Sequence, residues 1–83
     1  MKNHIIDLTT QLLRSAIDRN TKQGKLVCQQ TLLKLNTEIS ESNVLEILKD
    51  LNSAYIGIEA HGYLTENEFS ILKKLRELEA KYT

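Results

Sequence analysis

The sequence predicts an all-α fold, a small antiparallel four-helix bundle in one domain spanning residues 1–83, and three observations carry that prediction. The chain has no proline and only three glycines, the residues that usually punctuate β-rich chains. Leu, Lys and Glu, all good helix formers, are abundant. Apolar residues recur at spacings of three and four, in four blocks separated by short polar stretches. The helices are expected at about 3–19, 24–36, 41–61 and 66–82.

In the first block Ile5, Leu8, Leu12 and Ala16 make one apolar face, widened by Ile6, Leu13 and Ile17. The polar run from Asn20 to Lys25 then breaks the pattern, and its Gly24 reads as a turn residue. A second stripe follows through Leu26, Cys28, Leu32, Leu33 and Leu35, blurred by Val27. The third helix opens at Ser40, whose side chain can cap the first turn, with Ile39 and Val44 at hydrophobic-staple spacing. Its core face is read as Val44, Ile47, Leu48, Leu51, Ala54, Tyr55 and Ile58. Gly62 is expected to end it in a left-handed conformation, with His61 at the negative end of the helix dipole. Thr65 and Glu68 then have capping-box spacing, with Leu64 and Phe69 as the staple. The last face reads Phe69, Leu72, Leu75, Leu78 and Tyr82, and Lys73, Glu77 and Lys81 form i,i+4 pairs outside it. Short connections make sequential helices antiparallel neighbours.

A chain of 83 residues holds one core, which at this size gives only roughly 3–5 kcal/mol of net stability. Its single cysteine, Cys28, can form no intramolecular disulfide, which suits a reducing compartment. The first apolar run, Ile5-Ile6, is cut by Asp7, far short of the about 7–15 residues a signal peptide needs. These features place the protein in the cytoplasm as an expectation.

Net charge is zero but unevenly distributed. Residues 1–37 carry six basic and two acidic side chains, whereas residues 38–68 carry seven acidic side chains and only Lys49 as a cation. An acidic third helix, with Glu46 and Asp50, can steer a basic partner. The same pattern also suits an acidic helix packed between basic ones.

Known site chemistries match poorly. The stretch from Thr31 to Leu51 has helix-turn-helix proportions, but its second helix opens with Glu41, Ser42, Asn43 and Glu46 and lacks a basic stripe. Nucleic-acid binding would fall instead to Arg14, Arg19, Lys22 and Lys25. From Gly57, Gly62 and Glu68 fall at the sixth and twelfth positions of a calcium loop, yet Gly57, Glu59 and His61 occupy the first, third and fifth. The front half of such a cage is missing. Cys28, His4 and His61 match no zinc spacing, and Cys28 reads as a core residue rather than a nucleophile. No cofactor, metal or catalytic group is assigned, and the protein is read as not an enzyme.

Surface composition points elsewhere. Tyr55, Ile56, Tyr63 and Leu64 place aromatic and aliphatic side chains around the end of the third helix, and tyrosine is favoured at interfaces. A single core face does not easily take Tyr55 and Ile56 together, so either one of them is exposed or the long third helix is buried on more than one side. Four short helices, a long third one ending near Tyr55-Ile56 and a last one reading Phe69-Ser70-Ile71-Leu72-Lys73-Lys74-Leu75 resemble the small immunity proteins of the enterocin A and pediocin-like bacteriocin group. The resemblance spans most of the chain and rests on helix order and composition. It implies a cytoplasmic bundle that protects a producer cell by acting with a membrane receptor, which admits a peripheral contact with a receptor. In that group recognition is linked to a charged C-terminal tail. Here the last helix runs into Lys81-Tyr82-Thr83, and no residue role is carried over.

The expected function is protein–protein interaction, as an immunity, inhibitor or regulatory adaptor protein, with Glu46, Asp50, Tyr55, Ile56 and Tyr63 as candidate contact residues. The alternatives are a nucleic-acid-binding regulator using the basic first third, and a homodimeric structural protein.

Overall fold

The structure, a computed structural model, describes residues 1–83 and contains four helices and no strand. They are α1 (Lys2–Arg19), α2 (Lys22–Leu35), α3 (Glu41–His61) and α4 (Glu66–Tyr82). Connections of two, five and four residues reverse the chain each time, so sequential helices run antiparallel. Cross-helix bonds fix the directions. Lys2 Nζ at the start of α1 donates to the Thr37 carbonyl after α2 (3.0 Å). Glu59 pairs with Arg76, and Asn52 with Glu79, so α4 descends α3 as α3 rises. The fourth helix also packs on the first, α1 meets α3 across the middle, and α2 and α4 are the one pair whose backbones stay apart.

The helix ends follow local chemistry. Asn20 closes α1 at φ 54° and is the sole non-glycine residue with positive φ, a conformation asparagine tolerates. The Thr21 amide then donates back to the Ala16 carbonyl (2.9 Å). Ser40 Oγ accepts the Asn43 amide (3.3 Å) at the start of α3. At α4 the capping box is complete: Thr65 Oγ1 accepts the Glu68 amide (3.1 Å) and Glu68 Oε1 accepts the Thr65 amide (2.8 Å).

Two glycines depart from expectation. Gly24 is not a turn residue, because α2 begins at Lys22 and Gly24 is buried within its first turn. A β-carbon there would lie 3.0 Å from Thr21 Oγ1 and 3.2 Å from Ala16 Cβ, so its absence lets α2 close on α1. Gly62 ends α3 in an extended conformation (φ −150°) rather than a left-handed one. The supposed calcium loop does not exist as a loop, since residues 57–61 are helical and Glu68 is the capping-box residue of α4.

The core is built by Ile5, Leu8 and Leu12 of α1, Cys28 and Leu35 of α2, Val44, Leu48, Leu51 and Tyr55 of α3, and Leu64, Ile71, Leu72 and Leu75. Several apolar positions assigned inward face solvent instead: Ile17, Leu26, Leu33, Phe69 and Tyr82 are all about half exposed or more. Ile71 takes the place given to Phe69. In α2 the inward face is Gly24, Cys28, Thr31 and Leu35, which turns Leu26 and Leu33 outward. Small residues decide this, because they allow the closest approach of the helix axes. Thr9 and Asn52 are also buried, and Thr9 Oγ1 and Asn52 Oδ1 have no hydrogen-bond partner.

Candidate functional site

Two recesses stand out, at opposite ends of α3. The first lies where the end of α1 meets the α3–α4 connection. It is a cleft of about 500 Å³ bordered by Arg19, Lys22, His61 and Tyr63, with Tyr55 and Glu68 beneath. Its frame is polar and tightly bonded. Buried Glu68 accepts from the Thr65 amide, from Arg19 Nη1 and from Ser15 Oγ (2.8 Å), while Arg19 Nη2 donates to the Tyr63 carbonyl (2.6 Å). The Arg19 guanidinium also lies 5.2 Å from the centre of the exposed Tyr63 ring, within cation–π range. Arg19, one of four residues expected to form a basic footprint, is thus committed inside the fold, and Lys25 Nζ donates to Asn20 Oδ1 (3.1 Å).

Beneath this cleft Tyr55 Oη lies 3.2 Å from Cys28 Sγ in the core. Burial pushes the Cys28 thiol upward from its ordinary range, although the Tyr55 hydrogen bond opposes it. Burial, reinforced by the Cys28 hydrogen bond, likewise raises Tyr55 well above a usual phenol. Such a thiol is protonated at neutral pH and is sealed from reagents. Both groups hold their protons to higher pH when folded than when unfolded. The stability they contribute is therefore intact through neutral pH and falls as pH climbs past the ordinary values of 9.0 and 10.0, where the unfolded chain ionises first. Urea titrations of wild type and Tyr55→Phe across pH 7 to about 11 should show the gap between them shrinking at the alkaline end. A constant gap would mean the phenol is not held neutral by the fold.

The second recess is a groove between α2 and α3, and its two parts share Lys34 and Ile47. One part, about 470 Å³, is lined by Leu33, Ile39, Asn43 and Glu46 among others. The adjoining part, about 120 Å³, reaches Val27, Asp50 and Ala54. Glu46 and Asp50 are both exposed here, one turn apart on α3.

The candidate contact residues are therefore not one cluster. Glu46 and Asp50 border the α2/α3 groove, whereas Tyr63 borders the cleft; at 1.5 Å per residue, α3 separates Glu46 from His61 by about 22 Å. Tyr55 is 2 % exposed, so it is removed from the set of surface contacts: its ring fills the core behind its neighbour. Ile56 is the outward member of that pair, at 60 % exposed. Sequence reasoning missed Leu33 as a surface residue and Arg19 with buried Glu68 as a part-buried clamp. The only signal for Leu33 was that α2 carries two apolar pairs seven residues apart, Leu26 with Leu33 and Cys28 with Leu35. No group of three His, Cys, Asp or Glu side chains converges as a metal site. No helix is long and apolar enough to cross a membrane.

Comparison of the chain with protein-family models, with curated proteins and with solved structures finds no match to any of them. What the fold and its recesses define is a class: a small helical bundle that leaves apolar side chains outside a closed core.

Proposed function

We propose that this protein is a non-enzymatic recognition module of the cytoplasm, an immunity, inhibitor or regulatory adaptor protein that acts by binding another protein. The observation that carries this reading is the placement of Leu26 and Leu33, which are 54 % and 70 % exposed on a helix whose opposite face is fully packed. Leu33 borders the groove between α2 and α3, and an exposed apolar side chain at the edge of a groove is the kind of feature a protein-binding face uses. The likeness in helix order to the bacteriocin immunity group supports the immunity form of the reading. The committed side chains of Arg19 and Lys25 weigh against the basic first third as a nucleic-acid footprint.

Capture of the tagged chain from nuclease-treated lysate of its source cell, read by mass spectrometry, tests the reading. One protein in stoichiometric amount is the expected result, with light scattering giving a monomer of 9.5 kDa for the purified chain. Recovery of the chain alone, as a dimer or with nucleic acid when nuclease is omitted, would overturn it.

A further inference from the structure

We propose that the α2/α3 groove takes a basic amphipathic helix of the partner protein, laid along α2 with its cations toward α3. The proposal rests on the protein-binding reading above and adds the place and the chemistry of the partner. The groove has an apolar side formed by Val27, Leu33, Ile39 and Ile47, and Leu33 is the most exposed aliphatic side chain of the molecule. From Val27 to Leu35, where α2 ends, it follows the helix for about 12 Å, just over two helical turns, and Thr37 of the next connection closes it. That is enough for helix-in-groove recognition, since anchors at i, i+3, i+4 and i+7 span about two turns.

The charge of the groove selects the occupant. Glu46 and Asp50 are like charges at i,i+4, a mildly destabilising placement in an isolated helix. No ion pair offsets it: the ion pairs of the molecule are Arg19 with Glu68 and Arg76 with Glu59, and neither Lys34, which also lines the groove, nor Lys49, at i+3 of Glu46, pairs with either carboxylate. Two unpaired carboxylates along one lip of an apolar groove fit a helix with Lys or Arg on one flank of its apolar stripe. A neutral or acidic helix would leave both carboxylates without a cation while covering the floor beside them.

The test has two arms on the full chain. In the first, an 18-residue Leu/Lys amphipathic peptide and its analogue with Glu in place of every Lys are titrated into isotopically labelled protein. The basic peptide should shift the amide signals of Leu33, Asn43, Glu46, Ile47 and Asp50, bind at least tenfold more weakly to the Glu46→Lys, Asp50→Lys double variant, and weaken with added salt. The Glu analogue should not bind. Equal binding of both peptides, no binding, or shifts centred on Tyr63 and Arg19 would overturn the groove proposal. In the second arm, p-benzoylphenylalanine replaces Leu33 in one chain and Tyr63 in another before capture from lysate. Cross-linking from position 33 to a partner segment with Lys or Arg flanking an apolar stripe is the expected result. Cross-linking only from position 63, or from position 33 to a second copy of this chain, would overturn it. If the wild-type chain captures a protein and position 33 does not cross-link, the groove fails while the recognition reading stands. Circular dichroism of each variant separates loss of binding from loss of fold.

Discussion

Tyr55→Ala is expected to destabilise the fold by about 4 kcal/mol, which is most of what a core of this size provides. Tyr55 is the largest of the fully buried side chains and joins α3 to α2 through Cys28, with its hydroxyl also near the position where Gly24 lacks a β-carbon (3.5 Å). Truncation would open a ring-sized cavity bounded by helices that cannot collapse into it without sliding along one another. Tyr55→Phe keeps the ring and removes only the bond to Cys28, so about 1 kcal/mol is expected. Urea unfolding at neutral pH should therefore give a midpoint lowered by roughly a quarter for the Phe variant and no cooperative transition, or one near zero denaturant, for the Ala variant. Equal midpoints for the two would show that the ring does not fill the core. Tyr63→Ala provides the contrast: a side chain 74 % exposed has little packing to lose, and its midpoint should stay close to wild type.

Glu68→Ala is expected to cost about 3 kcal/mol. One carboxylate accepts three hydrogen bonds in a short space: it completes the capping box of α4 at Thr65, holds Ser15 Oγ and pairs with Arg19. Removing it unsatisfies the Thr65 amide and the Ser15 hydroxyl and leaves the Arg19 guanidinium, 24 % exposed, with only the Tyr63 carbonyl. Because Arg19 keeps some access to water, the loss should fall below that of a fully buried broken pair. Ser15→Ala, which removes one partner and keeps the carboxylate bonded, should cost about 1 kcal/mol. Thermal melts of the three chains, with a double-mutant cycle on Arg19 and Glu68, check the order. A loss for Glu68→Ala no larger than that of an ordinary cap would reduce the residue to its local role.

These two residues mark the division between what was legible and what was not. Glu68 was readable as the third residue of a capping box, because Thr65 and Glu68 are neighbours in sequence and the bonds between them form in any helix that starts there. Its role as the clamp between α1 and α4 was not, since Ser15 and Arg19 lie 53 and 49 residues away. Tyr55 and Ile56 were recognised as competitors for one face, and the choice between them depended on where α2 would lie. The candidate site was legible in part: Glu46 and Asp50 do edge a groove, while the apolar side chain that makes the groove a docking face, Leu33, was assigned to the core.

By itself the sequence determined the helices, most of their ends and the inward faces of α1 and α3, because periodicity, caps and the missing prolines act within a few residues of one another. Tertiary structure alone decided which stripe of α2 turns inward. Two stripes of equal spacing were available, and the one carrying Gly24 and Thr31 was buried because small side chains let α2 approach Ala16 and Tyr55, which left Leu26 and Leu33 at the surface.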